Sequence, residues 1–123
     1  MLLNGGELDG TRLLRSETVE MMRANRLPEA LIPIRVGPEF ELPGYGFGLG
    51  FSVLTDADST PIPDNDGVFR WLGYASTYFW IDPEEELIGL VLTQLEPGTH
   101  PELEVEFQTL VYEALSKVRG HPR

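Results

Sequence analysis

Trp71-Leu72-Gly73-Tyr74-Ala75-Ser76-Thr77-Tyr78-Phe79-Trp80-Ile81-Asp82 is dense in aromatic and β-branched residues, the types that fit a pleated, half-buried surface. With the residues before it, it reads as one extended stretch from Val68 to Ile81. Asp82-Pro83-Glu84-Glu85 follows as a turn, with proline pre-set for its second position. Leu87 to Leu95 then returns as a strand apolar enough to be buried on both faces. Two such runs joined by a tight turn form an antiparallel hairpin, and that hairpin sets the fold class.

Working outward, Gly44 to Leu54 reads as a third strand. Tyr45, Phe47, Leu49, Phe51 and Val53 share one face by the period of two, and Gly44, Gly46, Gly48 and Gly50 take the other. A bare glycine face lets another backbone approach closely. On the far side, Thr99 and Glu102 form a capping box for a helix with Pro101 in its first turn. Leu103, Phe107, Leu110, Val111, Ala114 and Val118 make its apolar stripe. Glu102, Glu104 and Glu106 suit the positive end of its dipole, and Lys117 and Arg119 the negative end.

The front of the chain is built of smaller pieces. Met1 to Asn4 with Gly5 and Gly6 resembles the last turn of a helix and its left-handed stop; a frayed terminus is the alternative. Asp9-Gly10 marks a two-residue hairpin. Ser16 is placed to cap a short helix that ends near Asn25. Residues 27–43 carry prolines at 28, 33, 38 and 43 and read as an extended connection; residues 55–67 read as an acidic loop. The expected architecture is α+β: a three-stranded antiparallel sheet packed against a C-terminal helix, with short N-terminal helical and hairpin segments, all within a single unit 1–123.

Composition narrows the function classes. A chain of 123 residues holds one domain with a real core. A net charge of −11 with scattered arginines repels phosphate backbones and anionic lipid, so neither nucleic acid nor membrane is an expected partner. The absence of cysteine removes disulfides and thiolate metal sites. No run reaches the roughly 18 apolar residues of a membrane span, and the start lacks the pattern of a secretory signal, so the chain as written is expected in the cytoplasm.

The obvious chemical motifs fail on spacing. Asp56, Asp58, Asp64 and Asp66 lack the glutamate that a calcium loop requires, and Asp-rich turns arise from local backbone bonding alone. His100 and His121 belong to no triad. Glu84, Glu85 and Glu86 read as a solvated hairpin tip. No metal and no cofactor is expected.

The segment from Trp71 to Asp82 is similar to the third active-site strand of the serine β-lactamase and penicillin-binding-protein superfamily, in its class C β-lactamase and related esterase branch. There a Lys-Thr-Gly, His-Thr-Gly or Trp-Gly-Gly triplet opens the strand, and an aromatic stretch ending in Asp-Pro follows. Leu2-Leu3-Asn4-Gly5-Gly6, Ser16-Glu17-Thr18-Val19, Gly44 to Phe51 and Leu87 to Gln94 fit the same family in order. The resemblance implies that Trp71-Leu72-Gly73 stands where the triplet does, with Leu72 crowding the pocket wall. It also implies that the backbone N–H of Tyr74 is one of two oxyanion donors, an N–H being worth a few kcal/mol when aimed at a developing alkoxide in a dry site.

The family's nucleophile lies in Ser-x-x-Lys. Lys117 is the sole lysine and Ala114 stands three residues before it. The Tyr-x-Asn or Ser-x-Asn element is also absent: Tyr45, Tyr74, Tyr78 and Tyr112 are followed at that spacing by Phe47, Ser76, Trp80 and Ala114, and no serine has Asn two positions on. The resemblance therefore implies a C-terminal segment that supplies sheet and pocket wall and holds no catalytic residue. The family's earlier strands, nucleophile helix and helical lobe would precede Met1. The alternative is a non-catalytic module that associates with itself or with a partner. The expected partners are a second copy or a complementing N-terminal chain.

Overall fold

The computed structural model describes residues 1–36, 40–96 and 101–120. Two short strands, β1 (Glu7–Leu8) and β2 (Thr11–Arg12), pair as the hairpin that Asp9-Gly10 signals. Helix α1 (Ser16–Met22) follows; Arg15 takes its N-cap position and no side chain caps it, so Ser16 is the first helical residue and not the cap. Gly5 donates to the Leu2 carbonyl and Gly6 to that of Met1. This is the paired bonding of a left-handed helix stop, with φ of 57° and 96° at the two glycines.

The segment 27–43 is more regular than its prolines suggest. A 3-10 turn (Glu29–Leu31) leads into a hairpin of β3 (Ile34–Val36) and β4 (Phe40–Leu42). Pro33 and Pro43 stand just outside the two strands, where a missing N–H costs no ladder bond.

The main sheet has five strands where three are expected, in the order of the sequence and antiparallel throughout: β5 (Tyr45–Phe47), β6 (Ser52–Leu54), β7 (Phe69–Leu72), β8 (Tyr78–Asp82) and β9 (Leu87–Val91). Two stretches read as continuous strands are each folded back on themselves. In the first, the Gly48 N–H donates to the Phe51 carbonyl across a tight reversal. Leu49 therefore sits at an exposed turn, and the expected shared face is split: Tyr45 pairs with Leu54 on one face while Val53, opposite Gly46, lies on the other. The glycine face does admit a close neighbour: a Cβ at Gly48 would lie 1.9 Å from the Met22 carbonyl oxygen at the end of α1. In the second stretch the reversal spans residues 73–77, and β7 and β8 pair with Phe69 opposite Ile81 and Trp71 opposite Phe79.

Helix α2 (Pro101–Arg119) covers one face of the sheet, where Val68, Tyr78 and Trp80 pack with Val111. The other face carries Phe51, Val53, Phe69 and Ile81 under Leu2, Leu3 and Met22. Thr99, His100 and His121 lie outside the described residues, and the expected capping box with them. The helix presents a different side from the one expected: Glu104, Gln108 and Tyr112 are buried, while Phe107, Leu110 and Val118 are exposed. A buried arginine on the sheet supplies the reason, as the site geometry shows. β9 also differs, since it ends at Val91 and carries Ile88 and Leu90 into solvent.

Gly89 is placed by contact. A Cβ there would come within 2.2 Å of three ring atoms of the fully buried Trp80 on β8. Gly89→Val is expected to displace the indole and to cost about 1–3 kcal/mol, the usual penalty for overfilling a packed core. Urea unfolding followed by tryptophan fluorescence measures it, and an unchanged midpoint would show that the ring has room to move.

Candidate functional site

The β7–β8 hairpin carries the residues singled out by sequence. Trp71 and Leu72 end β7, and Gly73 begins the reversal. The Gly73 N–H donates to the Thr77 carbonyl at 2.7 Å, and the Ser76 N–H donates to the Gly73 carbonyl at 3.2 Å. Ser76 takes a left-handed φ of 59°, a conformation uncommon for a residue with a side chain. The Tyr74 N–H donates to no protein acceptor among the described residues.

Trp71 packs edge-on against Phe47 at 4.8 Å between ring centroids. Leu72, one residue on, turns to the opposite face and joins Val68, Tyr78 and Trp80 beneath the helix. The Tyr74 side chain is 74% exposed and swings away from the sheet, its hydroxyl donating to Glu96 at 3.0 Å. What remains between Trp71, Gly73, Thr77, Phe79, Leu90 and Leu92, with Leu72 and Tyr78 at its border, is an open apolar groove of about 250 Å³.

Beneath this groove lies a polar cluster that the sequence reading missed. Arg70, the residue before Trp71, is 1% exposed. Its guanidinium forms an ion pair with Asp64 at 3.2 Å and another with Glu104, and donates to the Gln108 amide oxygen at 3.1 Å. Gln108 in turn donates to the second Asp64 oxygen at 2.8 Å, and the Tyr45 hydroxyl also donates to Asp64. Burial, reinforced by the Asp64 charge, raises the Tyr45 pKa above its ordinary value despite the opposing Arg70. The Ser52 hydroxyl donates to the Arg70 carbonyl at 2.9 Å and holds the strand from its other side.

A second cluster adjoins it. The buried Asp82 carboxylate accepts from the Tyr112 hydroxyl at 2.8 Å, from Asn65 at 2.6 Å and from the backbone N–H groups of Glu84 and Glu85. Burial is the main cause of a raised Tyr112 pKa, and the bond to Asp82 adds to it.

Glu104 stands in the first turn of α2, as expected, and is in addition half of a buried ion pair, while Asp64 turns its side chain from the acidic loop into a fully enclosed position. The available signal was an arginine inside an otherwise apolar strand, with Glu104 and Gln108 one helical turn apart. Among the described residues no group of acidic or histidine side chains could hold a metal ion, and no helix is long and apolar enough to cross a membrane.

An antiparallel meander, one long helix on its back and an apolar groove at the end of the third meander strand define a partial serine β-lactamase-like fold. The chain belongs to the β-lactamase family, whose model matches residues 2–112. The protein Rv1367c of Mycobacterium tuberculosis (strain ATCC 25618 / H37Rv) is 39% identical over 126 residues, which is 99% of this chain and 28% of that protein. The protein MT1414 of strain CDC 1551 / Oshkosh matches with the same figures. The chain thus spans little more than a quarter of the curated relatives it matches.

Among solved structures, the LovD9 mutant of simvastatin synthase from Aspergillus terreus superposes with a TM-score of 0.72 at 26% identity, over 94% of this chain and 32% of that one. The LovD6 mutant gives 0.70 at 28% identity with the same coverage. EstCE1, a hydrolase with promiscuous acyltransferase activity, gives 0.70 at 24% identity over 89% of this chain and 26% of that one, a likeness of fold.

Replacing Arg70 by Met would leave two buried carboxylates without their countercharge. Breaking a buried pair on one side costs about 3–5 kcal/mol, so Arg70→Met is expected to lose that much in equilibrium unfolding. A loss below about 1 kcal/mol, the range of solvent-exposed pairs, would mean that water reaches the cluster.

Proposed function

We propose that this chain forms the C-terminal wall of an acyl-transfer pocket in a serine β-lactamase-like hydrolase or esterase, with the reactive serine and its lysine supplied by polypeptide outside these 123 residues. Trp71, Leu72 and Gly73 stand in the triplet position and border the groove, and the Tyr74 N–H serves as one oxyanion donor. One observation carries the reading. Among the described residues the Tyr74 N–H donates to no protein acceptor, and it directly follows Gly73, which lines an apolar groove; a fixed donor gains most when negative charge develops opposite it in a dry site. The Tyr74 side chain is bound to Glu96 and does not line the groove.

Family membership gives the β-lactamase-like hydrolase fold, and two of the structural neighbours are forms of simvastatin synthase. Acyl transfer from an ester or amide to water or an alcohol is the chemistry this wall suits. An oxyanion donor without nucleophile and base supports little turnover, and the sequence contains no Ser-x-x-Lys.

The isolated chain is therefore expected to hydrolyse neither nitrocefin nor p-nitrophenyl esters above the uncatalysed rate. Assays of the chain and of alanine variants at its five serines, Ser16, Ser52, Ser59, Ser76 and Ser116, decide the point. Turnover abolished by one of these substitutions would place a nucleophile inside the chain and overturn the division of labour. Turnover that survives all five would remove the serine-hydrolase reading.

A further inference from the structure

Helix α2 has two sides that could meet the sheet. Leu103, Phe107, Leu110, Val111, Ala114 and Val118 form the apolar stripe, the side that a surface helix ordinarily turns inward. Glu104, Gln108 and Tyr112, each four residues after the last, form the other. Successive residues lie about 100° apart around a helix, and the centres of the two sides differ by about that one step. The sheet receives the more polar side. Glu104, Gln108 and Tyr112 are buried, while Phe107, Leu110 and Val118 are 38%, 55% and 86% exposed.

Apolar burial does not select this side. The contacts that do belong to Arg70, whose guanidinium meets Glu104 and Gln108 on the helix and Asp64 on the loop, with the Tyr45 ring centroid 5.6 Å away. Stranding that charge costs more than the full burial of one exposed leucine returns. Every member of the cluster is enclosed by residues of this chain, so the choice needs no polypeptide outside it.

We infer that the Arg70 cluster is a register lock for α2: its charges select the polar side, and without them the helix turns by about one residue to bury Phe107 and Leu110 against the sheet. The inference is independent of the hydrolase reading. The second register gives up little. Asp82 loses the Tyr112 hydroxyl but keeps Asn65 and the backbone N–H groups of Glu84 and Glu85. Gln108 and Tyr112 meet water, which satisfies polar groups that a sheet face leaves bare. Phe107 already touches Trp80 edge-on, with 6.0 Å between ring centroids, and the turn carries it inward over the same ring. Packed helices pass between discrete arrangements of this kind and do not deform by degrees.

Cysteine reactivity reads the rotation in a chain with no cysteine of its own. In the otherwise native protein Leu110→Cys, on the exposed stripe, should react with a soluble thiol reagent faster than Leu115→Cys at a half-buried position. Combining each with Arg70→Met, Asp64→Asn and Glu104→Gln should invert that order, Leu110→Cys slowing and Leu115→Cys quickening. An unchanged order, or faster reaction at both positions, would overturn the lock, because loosening exposes both sides and only rotation protects one. Should the triple background fail to fold, Arg70→Met with Glu104→Gln leaves Asp64 its bond from Tyr45 and is read in the same way. Failure of both backgrounds to fold would show that the chain has no second register, and overturns the inference as well.

Discussion

The guanidinium of Arg70 lies under α2 with its charge met by Asp64 from the loop and Glu104 from the helix. Taking these three charges out of water costs several kcal/mol each, and only well-placed opposite charges and hydrogen bonds offset it. The helix is therefore held in one rotation. Turning α2 by a single residue, about 100°, would carry Glu104 and Gln108 off the guanidinium and leave a buried charge unpaired. That constraint places Phe107 against Trp80 at the edge of the interface and sends Leu110 and Val118 outward. It also fixes β7, because the same residue's carbonyl is held by Ser52. Trp71, Leu72 and Gly73 follow directly in the chain, so the groove inherits its position from a cluster beneath it.

This dependence explains which features were legible in the sequence. The β8–β9 hairpin was plain because aromatic and β-branched runs flank an Asp-Pro turn. The existence of α2 was equally plain from its periodicity. Its orientation was not, since an apolar-stripe argument ranks Leu110 above Gln108 and has no means of weighing an arginine forty residues away. The two hidden reversals share another cause. Residues 48–51 and 73–77 turn without proline or an Asn-Gly pair, the second using Ser76 in a left-handed conformation, so apolar composition ran on through them. The reverse error arose at 27–43, where prolines lie beside the strands and were read as excluding them.

The candidate site divides in the same way. The location of Trp71-Leu72-Gly73 came from resemblance, and the structure places those residues at the end of β7 beside an apolar groove. Where the side chains of Leu72 and Tyr74 point was beyond the sequence. Leu72 is absorbed by the cluster under α2, and Tyr74 is drawn out by Glu96.

Leu90 on β9 and Leu92 just beyond it line that groove and are exposed. Whatever pairs with β9 must therefore also change the groove, because apolar side chains that meet across a new strand pair no longer face water. Polypeptide that completes a hydrolase pocket would have to cover the same leucines while leaving the Tyr74 N–H accessible. Since the helix-covered face is locked by buried charge and the β5 edge is already capped by Asn25 and Arg26, the groove and the β9 edge together form the part of the sheet left for a partner to define.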